Sequence, residues 1–295
     1  MQQVNLKHMK ETQNICIDRH NILHTTFTEF TSINNFNLTL ELDFMGEKVR
    51  DLGGPRKEWI RLLNVAIKEK YFDKGLREHL SDDYYNVGIM IGIALLQNGQ
   101  LPTYMPIDVI EKLVTSTSDN CITNIQRGLN VFGLAKIMQK FPIILHLLRP
   151  THHKLTPKLL LNMLTPRFSE EDSTAFLREK EVYALFVKYV REVGSGRRAP
   201  ITLNSVLIFV TGASEEPVLG FVIHPSITFV RGEEKPSEVE KSLNTSPYKY
   251  IPMAHTCTNV LLLPVGAQIH SQLPSDEILF QVYDIAFANT HFGTL

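Results

Sequence analysis

Residues 36–44 (FNLTLELDF) alternate apolar and polar side chains, the period-two pattern of a strand with one buried face. A turn at Asp51-Leu52-Gly53-Gly54-Pro55 follows. Pro55 suits the first position of a helix, where its missing N–H costs nothing. That helix is predicted over 55–72, with Trp59, Leu62, Leu63, Ala66 and Ile67 along one stripe. Residues 85–97 (YNVGIMIGIALLQ) are apolar almost all round, which predicts a buried helix stopped at Asn98-Gly99. Further helices are expected over 107–114, 123–139 and 157–164. Pro142, Pro150, Pro157 and Pro166 cut this region into short pieces.

The pattern then changes. Residues 168–174 (FSEEDST) are short, acidic and polar, and are expected to form a hinge. Beyond them, Val182, Leu185, Phe186, Tyr189, Val190 and Val193 fall on one helical face, and Gly194 and Gly196 end that helix. Pro217 and Gly220 mark turns, with short strands expected at 221–223 and 227–230. Residues 233–246 read as a solvated loop. Residues 260–263 (VLLL) read as a buried strand. Residues 275–287 form an amphipathic helix, with Ser275 as N-cap and Asp276 and Glu277 at its positive end. The expected fold is α+β and bilobal: an α-rich first lobe (1–170) and a smaller α/β second lobe (171–295) joined by the hinge.

Composition narrows the function classes. At 295 residues the chain can bury a sizeable core without staples. A net charge of −1 favours neither nucleic acid nor an anionic membrane as partner. No apolar run reaches the ~18 residues of a membrane span, and the polar start lacks a signal-peptide core. The three cysteines, Cys16, Cys121 and Cys257, include no CxxC pair, which suits free thiols in a reducing compartment. A cytoplasmic or nuclear protein is expected. Neither metal nor cofactor is expected. His152-His153 has no further ligand at metal spacing, and Gly53-Gly54 lacks the remainder of a phosphate loop.

The candidate chemistry sits at Ala254-His255-Thr256-Cys257-Thr258-Asn259. A thiol in a polar setting can carry an acyl group. His255 is a candidate base or a structural hydrogen-bonder. Thr256 and Asn259 could hydrogen-bond an incoming acyl group. Taken alone, this is a weak signal, because a cysteine is more often simply a small buried residue.

The same residues, followed by Leu261, Leu263 and Pro264, resemble the active-site signature of HECT-type ubiquitin ligases. Three further segments strengthen the resemblance, in the family's order. Asp51 to Trp59 is similar to its Asp-x-Gly-Gly-x-Arg-(Arg/Lys)-Glu-aromatic stretch. Phe209-Val210-Thr211-Gly212, then Pro217 and Gly220-Phe221, is similar to a stretch early in its C-terminal lobe. Phe292 stands fourth from the end of the sequence, where the family often carries a phenylalanine. The resemblance implies a bilobal ligase. Ubiquitin would pass from a conjugating enzyme to Cys257 as a thioester, supported by His255 and Thr256, and then to a lysine of a protein substrate, with Phe292 serving the lysine step. Arg56 and Glu58 are expected to pair or hydrogen-bond within the first lobe.

The sequence also departs from the pattern. Thr258 replaces the family's Phe, and Val265-Gly266 replaces an aromatic after Leu-Pro. Only roughly seventy residues separate the buried helix from the expected hinge, fewer than a typical family member has there. In this the chain is similar to divergent members with a short N-lobe, such as the cell-cycle-phase-specific ubiquitin ligase group. The alternative reading is a catalytically degenerate module that binds ubiquitin or a partner. A cysteine hydrolase pairing Cys257 with His270 or His291 is a third.

Overall fold

The computed structural model describes residues 12–47, 54–97, 99–150, 154–217, 219–231, 247–266 and 272–288. They fall into two compact units, Met1–His152 and His153–Leu295. None of the described helices is long and apolar enough to cross a membrane.

In the first unit, β1 (Thr12–Ile17) and β2 (Thr39–Phe44) pair in parallel, with Ile15 beside Leu42 and Ile17 beside Phe44. A parallel pair needs a crossover, which α1 (Ile22–Ser32) supplies. The period-two reading of 36–44 holds: Leu40, Leu42 and Phe44 are buried. α2 (Gly54–Ile67) buries Trp59, Ile60, Leu63 and Ile67. Its continuation over Lys68–Phe72 widens into a π-turn, so the predicted helix is correct in extent but not in winding. The Trp59 indole donates to Thr26 Oγ1 at 3.0 Å and meets Phe30 edge-on, which ties α2 to α1.

The apolar segment at 85–97 becomes α3 (Asp83–Leu96), buried on nearly every side. Small α4 (Ile107–Lys112) follows, then α5 (Asn120–Asn130) and α6 (Leu134–Lys140). The single helix expected over 123–139 is broken, because Gly133 takes φ +70° and turns the chain. α3 and α5 approach closely through two glycines. A Cβ on Gly88 would lie 2.2 Å from the Ile125 carbonyl oxygen, and one on Gly128 2.1 Å from that of Tyr85. Arg56 and Glu58 do hydrogen-bond within this unit, but to other residues. Arg56 Nη1 donates to the Leu40 carbonyl at 3.2 Å, and Glu58 accepts from Arg19.

The second unit opens with α7 (Pro157–Met163), capped by Thr156, whose hydroxyl accepts from the Leu159 amide. β3 (Thr165–Arg167) and the long α8 (Thr174–Gly194) follow. The expected hinge at 168–174 and the expected boundary at 170 fall in this stretch. The division between units falls at 152/153, and 168–174 lies inside the second unit. Thr165–Arg167 pair in parallel with β4 (Ser226–Val230). Phe168 stacks on Phe229 and meets Phe176 and Tyr183 edge-on. The amide and hydroxyl of Ser169 both donate to the Glu179 carboxylate, at 2.7 and 2.6 Å. An acidic, polar composition resembles a linker, but these contacts anchor it.

α9 (Leu203–Thr211) begins in a capping box between Thr202 and Ser205 and ends at Gly212, left-handed at φ +76°. The stretch Phe209 to Gly212 is therefore a helix end, with Phe209 edge-on to Phe287 at 5.1 Å. Four strands form the sheet in the order β3-β4-β6-β5, where β5 is Met253–His255 and β6 is Val260–Pro264. The short strand expected at 221–223 is absent, and the pairing starts only at Ser226. α10 (Asp276–Ala288) sends Phe280, Tyr283 and Phe287 against Tyr189 of α8. The Tyr189 hydroxyl donates to Asp284, which Arg198 also binds.

Candidate active site around Cys257

β5 and β6 are antiparallel, with His255 opposite Val260 and Ala254 opposite Leu261. Residues 256–259 form the turn between them, and Cys257 is its second residue. The thiol thus occupies the tip of a hairpin. The sequence pattern revealed β6 but not its antiparallel partner, whose three residues are too few to show a period. Thr258 closes the turn, its amide and hydroxyl both donating to the His255 carbonyl at 3.2 and 3.3 Å.

Asn259 anchors the far end of the turn. It adopts φ +56°, a left-handed conformation that Asn tolerates better than most residues. It is only 1% exposed. Its side-chain Nδ2 donates to the Ile223 carbonyl at 2.6 Å, and its own carbonyl accepts from the Ser226 amide at 2.9 Å. The expectation that Asn259 would bind an acyl group therefore changes, since its amide is held inward by the 219–225 segment. The Ser226 hydroxyl, buried at the start of β4, makes no hydrogen bond among the described residues. Neither Ile223 nor Ser226 carried a sequence signal. Ile223 acts through a backbone carbonyl, which composition cannot reveal.

Cys257 is a free thiol of intermediate exposure, and its half-buried neighbour Thr256 makes further contacts. His255 is exposed, and among the described residues its imidazole makes no hydrogen bond to the thiol. The hairpin carries Cys257, His255 and Thr256, without a thiol–imidazole hydrogen bond among the described residues. Phe292, His270 and His291 lie outside the described residues. Exposed apolar side chains accompany the turn: Leu219 and Val222 on the segment that Asn259 grips, and Met253 on the edge strand.

The other two cysteines differ. Cys16 is exposed, whereas Cys121 is buried at the start of α5. Burial first, then the nearby Asp119 and Glu78 charges, push the Cys121 thiol up to about 11. Glu78, Asp119 and Cys121 bring three possible ligand atoms within 4.8 Å of one another. Asp119, however, caps α5 by accepting from the Cys121 and Ile122 amides, and Glu78 accepts from the Asn120 side chain. Those bonds account for the cluster as the start of a helix.

A partly exposed cysteine at a hairpin tip, held by buried backbone anchors, can attack a carbonyl presented from solvent and release it to a second nucleophile. Comparison with curated proteins finds no match. Residues 162–291 match the family model of the HECT domain, described as a ubiquitin-transferase.

Proposed function

We propose, from the premise that the chain carries a HECT-type domain over residues 162–291, that it is a ubiquitin-protein ligase working through Cys257. In the first step the Cys257 thiolate attacks the carbonyl carbon of a conjugating enzyme's ubiquitin thioester. A new S–C bond forms, the donor S–C bond breaks, and the donor cysteine leaves as thiolate. In the second step the neutral amine of a substrate lysine attacks the same carbonyl. A C–N bond forms, Cys257 leaves as thiolate, and the amine gives its extra proton to solvent.

A thioester keeps most of its acyl reactivity, so neither step needs the strong base of a protease. His255, exposed and not bonded to the thiol, serves as a polar neighbour for the incoming carbonyl. Thr256 holds the turn, and Phe292 assists the lysine step. The observation that carries this reading is the placement of Cys257. It is the one cysteine of the matched domain, and it sits accessible at the tip of an anchored hairpin.

The test is charging. Purified protein incubated with activating enzyme, a panel of conjugating enzymes and ubiquitin should form an adduct that reductant removes. Cys257→Ser should replace it with an oxyester that survives reductant but not alkali, or abolish it. Absence of any adduct across the panel would refute the ligase and leave a ubiquitin- or partner-binding module. Transfer to water in place of lysine would mark a hydrolase.

A further inference from the structure

We infer that Asn259 is the positioning residue of the transfer: its buried amide, clamped on the Ile223 carbonyl, sets where the Cys257 thiol stands. The inference rests on the proposed ligase reading and deepens it.

The backbone conformation alone does not call for asparagine. At φ +56° a glycine would meet the requirement of the turn without strain. What asparagine adds is a polar side chain, and burying one is costly unless it is hydrogen-bonded. Here the side chain is almost wholly enclosed and donates at 2.6 Å to Ile223, far off in sequence. Directly beyond, the Ser226 amide holds the Asn259 carbonyl at 2.9 Å, and Ser226 stands opposite Val260 in the β4–β6 register. Asn259 therefore joins the turn on one side to the 219–225 segment and on the other to the centre of the sheet. Thr258 restrains the opposite side through His255.

Cys257, two residues from this clamp, inherits its position from it. Acyl transfer is sensitive to that position, since a displacement of about 1 Å from the attack geometry can cost on the order of a hundredfold in rate. Alkylation by a small, freely diffusing reagent has no such requirement, because the reagent can approach from any open direction.

Two variants separate positioning from folding. Asn259→Gly keeps the left-handed turn and removes the amide. Asn259→Asp keeps the shape and replaces the donor with an acceptor facing a carbonyl. The donor is ubiquitin carrying a C-terminal mercaptoethanesulfonate thioester, which needs no conjugating enzyme. Single-turnover charging of Cys257 is followed over a range of donor concentrations, beside iodoacetamide alkylation of the same thiol and thermal melting. Both variants should lose at least about tenfold in the saturating charging rate, with the donor concentration at half-maximal rate changed little. Alkylation should stay at or above the wild-type rate. Charging of Asn259→Gly within twofold of wild type overturns the inference. So does a parallel fall in charging and alkylation with a lowered melting point, which makes Asn259 merely structural. If the wild-type protein itself takes no ubiquitin, the ligase reading fails, and that result is distinct from either.

Discussion

Arg19 and Glu58 form a two-pronged ion pair inside the first unit, Nη1 to Oε1 at 2.7 Å and Nη2 to Oε2 at 2.9 Å. Glu58 is fully buried, and the same guanidinium also grips Glu47 and lies 3.6 Å over the Phe44 ring. Burial opposes the charge on Arg19, but its bonds to Glu47 and Glu58 outweigh it and hold the guanidinium above its ordinary value. Burial lowers Arg61, which sits 3.8 Å from Glu58. The pair joins the end of β1 to α2. Removing Arg19 strands the fully buried Glu58 carboxylate in a low-dielectric setting, which typically costs about 3–5 kcal/mol. Arg19→Ala should therefore destabilise the first unit by about that much in urea unfolding, and Arg19→Lys by less. A change below about 1 kcal/mol would show that water reaches the site.

The glycine contact between α3 and α5 makes a second prediction. A methyl at Gly88 or Gly128 must push one helix off a backbone carbonyl of the other. Overpacking of this kind costs about 1–3 kcal/mol, which exceeds the ~1 kcal/mol that alanine gains in helix propensity. Gly88→Ala and Gly128→Ala should each lower the unfolding midpoint. Because both act on one contact, the double variant should lose less than the sum. Strict additivity would mean that the helices do not meet there.

A third concerns pH. An unfolded cysteine titrates near ~8.5, but the folded Cys121 thiol is pushed up to about 11. Below that window both states keep the proton, and its contribution to stability is complete. As pH rises through the window, the unfolded chain sheds its proton first, so stability falls. The loss is on the order of 3 kcal/mol by pH 11. Unfolding measured from pH 8 to 11 should show this decline, and Cys121→Ala should flatten it. An equal slope in the variant would assign the decline to the buried phenols of Tyr71 and Tyr189, which burial also raises.

Removal of residues 292–295, Phe292 among them, should leave Cys257 charging intact while slowing isopeptide formation by at least about tenfold. Chase of the preformed thioester with lysine-bearing substrate measures the second step alone. Equal loss in both steps would refute a role confined to lysine transfer.

Much of this was legible in the residues, and the gaps have physical causes. Periodicity found β2, α8 and α10 because each buries a regular face, and the unbroken apolar run found α3. It missed β1, whose buried face consists of two isoleucines, and β5, which is three residues long. Acidic composition at 168–174 did not mean full solvation, because Ser169 and Glu179 satisfy one another. At the site, Cys257, His255 and Thr256 were readable as residue types at fixed spacing. The clamp was not, because it ends on the Ile223 carbonyl, an atom every residue type possesses.

The core of the second unit is completed by residues that follow Cys257 in the sequence. β3, β4 and β6 are parallel neighbours drawn from distant parts of the chain, and α10 covers the shared core with Phe280, Tyr283 and Phe287. On the ribosome, the turn that carries Cys257 therefore emerges before the helix that completes its foundation. A chain cut before Asp276 would leave Phe186, Tyr189 and Phe209 without their ring partners, and is expected to present that apolar surface to chaperones.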